Sequence, residues 1–286
     1  MRSLSDVKNS IDAIGDTSKI TSAMKLISTS KMQKAISRYD ANLLYFNRVR
    51  AAIKDILVHS HDLHHTFLEK HTKGSPAYIV IAADKGLCGG YNHNILNFAY
   101  DLMTKDDKFV ITIGQEARAF FERKNVPIDV EYLHISQNPT LYDARNLTDD
   151  LARMYKGGEM NEVYLLYTRY YSSVKQVPTA IKLLPMELVD FEDISTETDY
   201  ASEMNYHPSP KPVFDILVPQ YIIGLVYGAL IQAFASENSA RMMAMDSSSK
   251  NADEMLGKLN IELNRARQQA ITMEITEIVG ALEALT

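Results

Sequence analysis

Two long stretches almost free of helix breakers, one at each end of the chain, constrain its fold more than anything between them. Residues 3–58 contain no proline and one glycine, Gly15. From Pro212 to Leu285 proline recurs only at Pro219, and glycine only at Gly224, Gly228, Gly257 and Gly280. Such spans predict two long helices. At ~1.5 Å per residue the second would run on the order of 100 Å. In the first, apolar residues recur in steps of three and four: Leu4, Val7, Ile11 and Ile14, then Ile36, Tyr39, Leu43, Phe46, Ile53 and Leu57, with Arg50 interrupting the second set. The second repeats the pattern with Ala252, Leu256, Leu259, Leu263, Ala266, Ala270 and Met273. This spacing lines one side of a helix as a heptad seam. Each large seam side chain removed from water is worth ~1.5–3 kcal/mol, so pairing the two ends is the economical solution.

Connectivity sets the direction of the pair. With a compact block between them, one helix runs in and the other runs out, so they are expected to be antiparallel. The C-terminal helix is the longer. Its last part, rich in Ile, Thr, Glu and Val, is expected to pass beyond its partner and to need an external sleeve. The expected fold class is α/β: a long antiparallel coiled coil of N- and C-terminal helices with a central Rossmann-like α/β domain. The expected organisation is a coiled-coil helix over 1–58, a linker over 59–75, the α/β domain over 76–200, a linker over 201–211, and a second coiled-coil helix over 212–286.

The middle block alternates short apolar runs with helical stretches. Strands are expected at 77–83, 109–113, 126–132 and 162–170, with an edge strand at 174–184; helices are expected at 92–104, 115–124 and 141–156. That alternation implies an α/β sheet. Pro212 suits a first helical turn, and Pro219 either kinks that turn or marks the true start.

Composition removes several classes of function. The 286 residues carry 30 basic and 36 acidic side chains, a formal charge of -6, which argues against general nucleic-acid binding. A single cysteine, Cys88, excludes an internal disulfide and suits a reducing compartment. The start Met-Arg-Ser-Leu-Ser-Asp leads straight into amphipathic helix, so no signal or transit peptide is expected. No window approaches 18 uninterrupted apolar residues, so membrane association is expected only through partners.

Three places invite a chemical reading, each beside a plainer one. The loop Gly86-Leu87-Cys88-Gly89-Gly90 between a strand and a helix resembles a phosphate cradle, but it lacks the Gly-Lys-Ser/Thr ending of a P-loop and is not G-x-G-x-x-G. The plainer reading is a structural turn in which Gly86, Gly89 and Gly90 supply positive φ and close approach. His59, His61, His64, His65 and His71 have the density of a zinc site, or are a solvated junction. Cys88 near Lys85 is a nucleophile or a small buried residue. No Ser-His-Asp signature and no H-E-x-x-H occurs, and neither a cofactor nor a metal is expected.

Three blocks then carry a resemblance. Ile20-Thr21-Ser22-Ala23-Met24-Lys25-Leu26-Ile27-Ser28-Thr29-Ser30-Lys31-Met32 is similar to I-T-K-A-M-x-x-V-(A/S)-x-S-K, and Asp84-Lys85-Gly86-Leu87-Cys88-Gly89-Gly90-Tyr91-Asn92 to D-(K/R)-G-L-(C/A)-G-x-Y-N. The third block joins Ser236-Glu237, Arg241-Met242, Ala244-Met245, Asn251-Ala252 and the run from Asn264 to Val279. Over nearly its full length the chain resembles the gamma-subunit family of F-type ATP synthases, of the bacterial type. Departures are Ser22, where the family commonly has lysine, and the more acidic Asp246-Ser247-Ser248-Ser249-Lys250.

The resemblance implies a rotor. In that family the paired helices stand inside a ring of three alpha and three beta subunits, and the α/β domain meets the epsilon subunit and the membrane c-ring. Rotation couples transmembrane ion flow to ATP synthesis, or hydrolysis to pumping, and the subunit is itself non-catalytic. It lies peripherally at the cytoplasmic side of the cell membrane. Arg267 and Gln268 fall on the family's Arg-Gln pair, a polar catch for beta-subunit loops, and Thr272 and Glu274 lie in the same block. Met24 falls on the shaft methionine facing an acidic region of beta, and Lys25 beside it would attract those carboxylates. A static coiled-coil scaffold and an enzyme holding a nucleotide at residues 84–92 are the competing readings.

Overall fold

The computed structural model describes residues 4–60, 64–104, 107–194 and 209–283, with side chains described as far as Val279. The end helices are α1, Leu4–His59 with 56 residues, and α5, Pro210–Glu283 with 74. The chain divides into two compact units, Met1–Thr29 with Arg241–Thr286, and Ser30–Ala240.

The second unit is built on a five-stranded sheet. Its elements run β1 Ser75–Ile81, α2 Tyr91–Leu102, β2 Phe109–Ile113, α3 Gln115–Arg123, β3 Val130–Tyr132, α4 Leu141–Lys156, β4 Met160–Tyr170 and β5 Gln176–Leu184. The strand order is β3-β2-β1-β4-β5. The first four strands are parallel and β5 is antiparallel at the edge, where the sequence places it. The third strand is shorter than the expected 126–132: Val126 packs against the α3 side of the core, and Asp129 instead receives the Val110 amide at 2.7 Å.

Alternation along β1 explains its unbroken apolar run. Ala77, Ile79 and Ile81 face one core with Leu147 and Leu151 of α4, Ile53 and Ile56 of α1, and Phe214, Val218 and Ile222 of α5. Tyr78, Val80 and Ala82 face the other, with Ile95 and Ala99 of α2 and Ala117 and Phe121 of α3. A parallel strand covered on both faces has no polar side to show. Helix α4 starts at a capping box, where the Thr140 hydroxyl accepts from the Asp143 amide at 3.2 Å and Asp143 accepts from the Thr140 amide at 2.9 Å.

The compact unit is larger than residues 76–200, because the later half of α1 and the earlier half of α5 cover one face of its sheet. This shifts the expected seam. Val49, Ile53 and Ile56 are buried, while Leu43 is exposed and Leu57 only partly covered. The same packing accounts for an 18-residue window of α5 with mean hydropathy 1.7, apolar enough by length and composition to cross a membrane and half buried here. That average escapes a search for uninterrupted apolar runs. Helix α5 begins at Pro210, so Pro212 lies in its first turn and Pro219 inside it. The linker expected at 201–211 lies outside the described residues as far as residue 208.

In the unit of Met1–Thr29 with Arg241–Thr286 the two helices pair antiparallel. Ser18 donates to Asp253 at 3.1 Å, Thr21 meets Ser249 at 2.7 Å, and Lys25 donates to Asp246 at 2.5 Å. Val7, Thr21 and Ser28 of α1 and Met245, Ala252 and Leu259 of α5 are buried in this unit. The expected seam positions Ala270 and Met273 are exposed: among the described residues the covered side of α5 ends at Ala266.

Two outcomes are expected. A Cβ on Gly114, whose φ is +97°, would sit 2.3 Å from the Ala82 carbonyl oxygen. Gly114→Ala therefore loses ~1–3 kcal/mol or more in denaturant unfolding. Hydrogen bonds from Lys25 and Lys250 hold the Asp246 carboxyl down to about 2. A depressed carboxyl contributes stability above its ordinary ~3.9 and loses it as pH falls through the folded value. The tie thus persists at pH ~4 and fails near pH 2. Carbon NMR of the Asp246 carboxyl should titrate near 2, and nearer ~3.9 once Lys25 and Lys250 are both changed to Met.

Candidate partner-binding site

Past Ala266, α5 has no covered side among the described residues. Arg267, Gln268, Thr272 and Glu274 are all exposed there. The Thr272 hydroxyl donates to the Gln268 carbonyl and the Thr276 hydroxyl to the Thr272 carbonyl, both at 2.8 Å. Such back-bonding one turn apart satisfies the hydroxyls locally and leaves the guanidinium of Arg267 and the carboxamide of Gln268 turned to solvent. Between these polar groups stand Ile271, Met273, Ile275, Ile278 and Val279, each exposed, Met273 by 64% and Ile278 by 61%. Ile271, Ile275 and Ile278 are spaced as one stripe. Scattered apolar residues on a surface are ordinary; a contiguous set along one helix marks an interaction surface.

A second exposed set lies on α1 in the same compact unit. The seam runs through Ser18, Thr21, Lys25 and Ser28, so Ile20, Leu26 and Ile27 point away from it and are exposed, Leu26 by 70%. Met24 is half-buried beside them. Lys25, expected as a lure for partner carboxylates, has one of its ammonium protons committed to Asp246 within the same unit. Ile20, Leu26 and Ile27 were not singled out from the sequence. The signal was available: continuing the Leu4–Ile14 phase through the polar stretch would have placed them off the seam.

The loop after β1 is organised as a turn. Only Gly89, with φ 56°, uses the left-handed freedom expected of all three glycines; Leu87 takes the other left-handed position at φ 60°. Gly90 stands at the start of α2 with φ -85°, and a Cβ on Gly86 would meet the Glu116 carboxylate at 3.9 Å, an ordinary contact. The buried Asp84 carboxylate accepts from the Gln115 amide at 3.1 Å, the His134 amide at 3.2 Å and the Ser136 hydroxyl at 2.7 Å. Asn92 accepts the Ala83 amide at 3.0 Å and donates to the buried Cys88 sulfur at 3.4 Å. These bonds tie the loop to the sheet. The junction histidines diverge. His59 meets Asp55 at 3.3 Å, His65 meets Asp215 at 3.3 Å, and the His71 ring packs on Tyr155 with centroids 4.4 Å apart. His61 lies outside the described residues. Among the described residues no group of three His, Cys, Asp or Glu side chains converges on one point.

The block at Ser236–Ser239 has a structural account. Ser236 donates to the Thr168 carbonyl and Ser239 to the Ser173 carbonyl, both at 3.1 Å, while Gln176 donates to Ser239 at 3.1 Å. All three bonds fasten α5 to the β4–β5 end of the sheet.

Comparison with known proteins agrees with this architecture. A family model described as ATP synthase matches residues 3–285. The ATP synthase gamma chain of Ruminiclostridium cellulolyticum is 42% identical over 288 residues, covering 98% of each chain. That of Acetivibrio thermocellus is 38% identical and covers both chains in full. The sodium-ion-specific gamma chain of Acetobacterium woodii is 35% identical over 98% of each. Among solved structures, a chain of the Euglena gracilis mitochondrial ATP synthase (OSCP/F1/c-ring, rotational state 3) superposes with a TM-score of 0.69 at 15% identity, covering 99% of this chain and 94% of its own. A chain of the Tetrahymena thermophila mitochondrial ATP synthase central stalk and c-ring gives 0.62 at 21% identity, over 80% and 99%. At those identities the structures share the fold; the curated relatives share far more sequence, end to end. The chain belongs to the ATP synthase gamma-chain family.

Proposed function

We propose that this chain is the central-stalk rotor of an F-type ATP synthase. It turns inside a ring of three alpha and three beta subunits and couples transmembrane ion flow to ATP synthesis, or hydrolysis to pumping. The observation that carries the reading is the run of α5 from Arg267 to Val279, exposed all round with Ile271, Met273, Ile275, Ile278 and Val279 in water. Such a surface needs a sleeve. The bare helix end presents different side chains on each of its sides, and contact energy that differs with angle is what shifts the states of otherwise identical partners.

Within that reading Arg267 and Gln268 form a polar catch on beta-subunit loops, Arg267 through the paired donors that match a carboxylate. Thr272 and Glu274 extend the same surface. Met24, with Ile20, Leu26 and Ile27, faces the ring lower on the shaft, and Lys25 stands beside them at the seam, tied to Asp246. The α/β unit meets the epsilon subunit and the c-ring, so the chain lies peripherally on the cytoplasmic side of the cell membrane and reaches it through partners. It does no covalent chemistry itself; Gly86, Gly89 and Gly90 serve the turn after β1.

Co-expression with alpha and beta subunits tests this. One copy should co-purify with three of each. A charge-assisted hydrogen bond is worth ~1.5–3 kcal/mol, so Arg267→Ala with Gln268→Ala should change the ATPase rate of the complex about tenfold. Removal of residues 264–286 should change it at least as much, and the chain alone should hydrolyse no ATP. A chain that stays solitary, or that hydrolyses ATP unaided, contradicts the proposal.

A further inference from the structure

In the unit Ser30–Ala240, a cavity of about 770 Å³ opens between α1, α5 and the β4–β5 edge of the sheet. This is the size of pocket that holds a small organic molecule. Its walls are aromatic: Tyr39 and Phe46 from α1, Tyr167 from β4, and Tyr221 and Tyr227 from α5. Phe46 and Tyr221 stack with centroids 5.8 Å apart and planes 2° from parallel. The space exists partly because α5 carries Gly224 and Gly228 on this side. A Cβ on Gly224 would lie 2.4 Å from the Phe46 ring, whereas one on Gly228 would lie 3.6 Å from Tyr39, an ordinary contact.

Three cations line the cavity, and they are not equivalent. Arg50 grips both carboxylate oxygens of Asp193, at 2.5 and 3.0 Å. Lys182 pairs with Glu187. Among the described residues Arg169 meets phenols: its Nε donates to the Tyr167 hydroxyl at 3.3 Å, and the Tyr171 phenol adds to its surroundings. Among the described residues no carboxylate lies within 4.0 Å of it. The Tyr39 phenol feels both guanidiniums. The Arg50 Nε, in the same lining, is a buried donor with no hydrogen-bond partner. A half-buried guanidinium without a counter-ion and a second unfilled donor are costly unless an acceptor arrives.

We propose that this cavity is a binding site for a small aromatic monoanion, its ring against the tyrosines and its carboxylate or sulfonate on Arg169. The paired donors of a guanidinium fork suit two oxygens of a carboxylate or a sulfonate, and rings suit walls of this kind. The site is independent of the shaft's role in a ring, and its test uses the full chain alone.

The probe is 8-anilinonaphthalene-1-sulfonate, titrated by fluorescence. The chain has no tryptophan to interfere. One saturable site per chain is expected, above a linear background from exposed apolar side chains that all variants share. Arg169→Gln should weaken that site about tenfold or more, and Gly228→Leu should abolish it by filling the cavity. The uncharged analogue N-phenyl-1-naphthylamine should bind at least about tenfold less tightly and be indifferent to Arg169→Gln. Circular dichroism checks folding; if Gly228→Leu loses helix, Arg169→Gln and the uncharged probe decide. Wild-type binding in the folded variants, or equal binding of the uncharged probe, overturns the proposal.

Discussion

A helix of 56 residues and another of 74 cannot leave their apolar sides in water, and this chain satisfies that requirement twice over. In the unit Ser30–Ala240, α1 and α5 bury Ile53, Ile56, Phe214, Val218 and Ile222 on a sheet that is itself covered on its other face. In the unit that joins the two ends of the chain, the same helices bury much less, and bury it on each other. The sheet unit has the depth of a globular core. The terminal unit is a two-helix pair whose stability rests on a narrow seam.

That seam is unusually polar in its middle. Ser18 with Asp253, Thr21 with Ser249, and Lys25 with Asp246 bridge the helices where a plain coiled coil would place apolar residues. Polar groups at seam positions give up stability and fix register. A pair that must bear torque gains from this, since a helix that slipped by one turn would present the wrong side chains to its surroundings. The two places where this chain departs from the family pattern, Ser22 and the Asp246–Lys250 run, both sit in this network: Ser22 lies 3.3 Å from Ser249, and Lys250 meets Asp246 at 2.7 Å.

Much of this was legible in the sequence, because long stretches without breakers and short apolar runs have few alternative explanations. The strand at 109–113, the helix at 141–156 and the edge position of β5 follow from such patterns alone. The seam through Ser18, Thr21, Lys25 and Ser28 carries no hydrophobic signal of its own and is reached only by continuing the Leu4–Ile14 phase through it. Leu43 was misplaced because the later half of α1 packs on the sheet as well as on α5, which turns its buried side away from the heptad phase. The turn after β1 was read as a turn, but its left-handed residue besides Gly89 is Leu87, held by the Asp84 and Asn92 bonds around it. For the partner surface, the exposed polar residues were reachable only through family resemblance, while Ile20, Leu26 and Ile27 needed the seam's phase first.

The most direct test of the central claim is to watch the chain turn. The one native cysteine is buried, so Cys88→Ala with Arg123→Cys, on the exposed side of α3, gives a single attachment point for a bead. With the complex fixed to a surface through its beta subunits, added ATP should drive one-directional rotation of the bead, in steps of one third of a turn set by the threefold ring. A bead that stays still while ATP is hydrolysed at the normal rate would contradict the account and leave the helix pair a static scaffold.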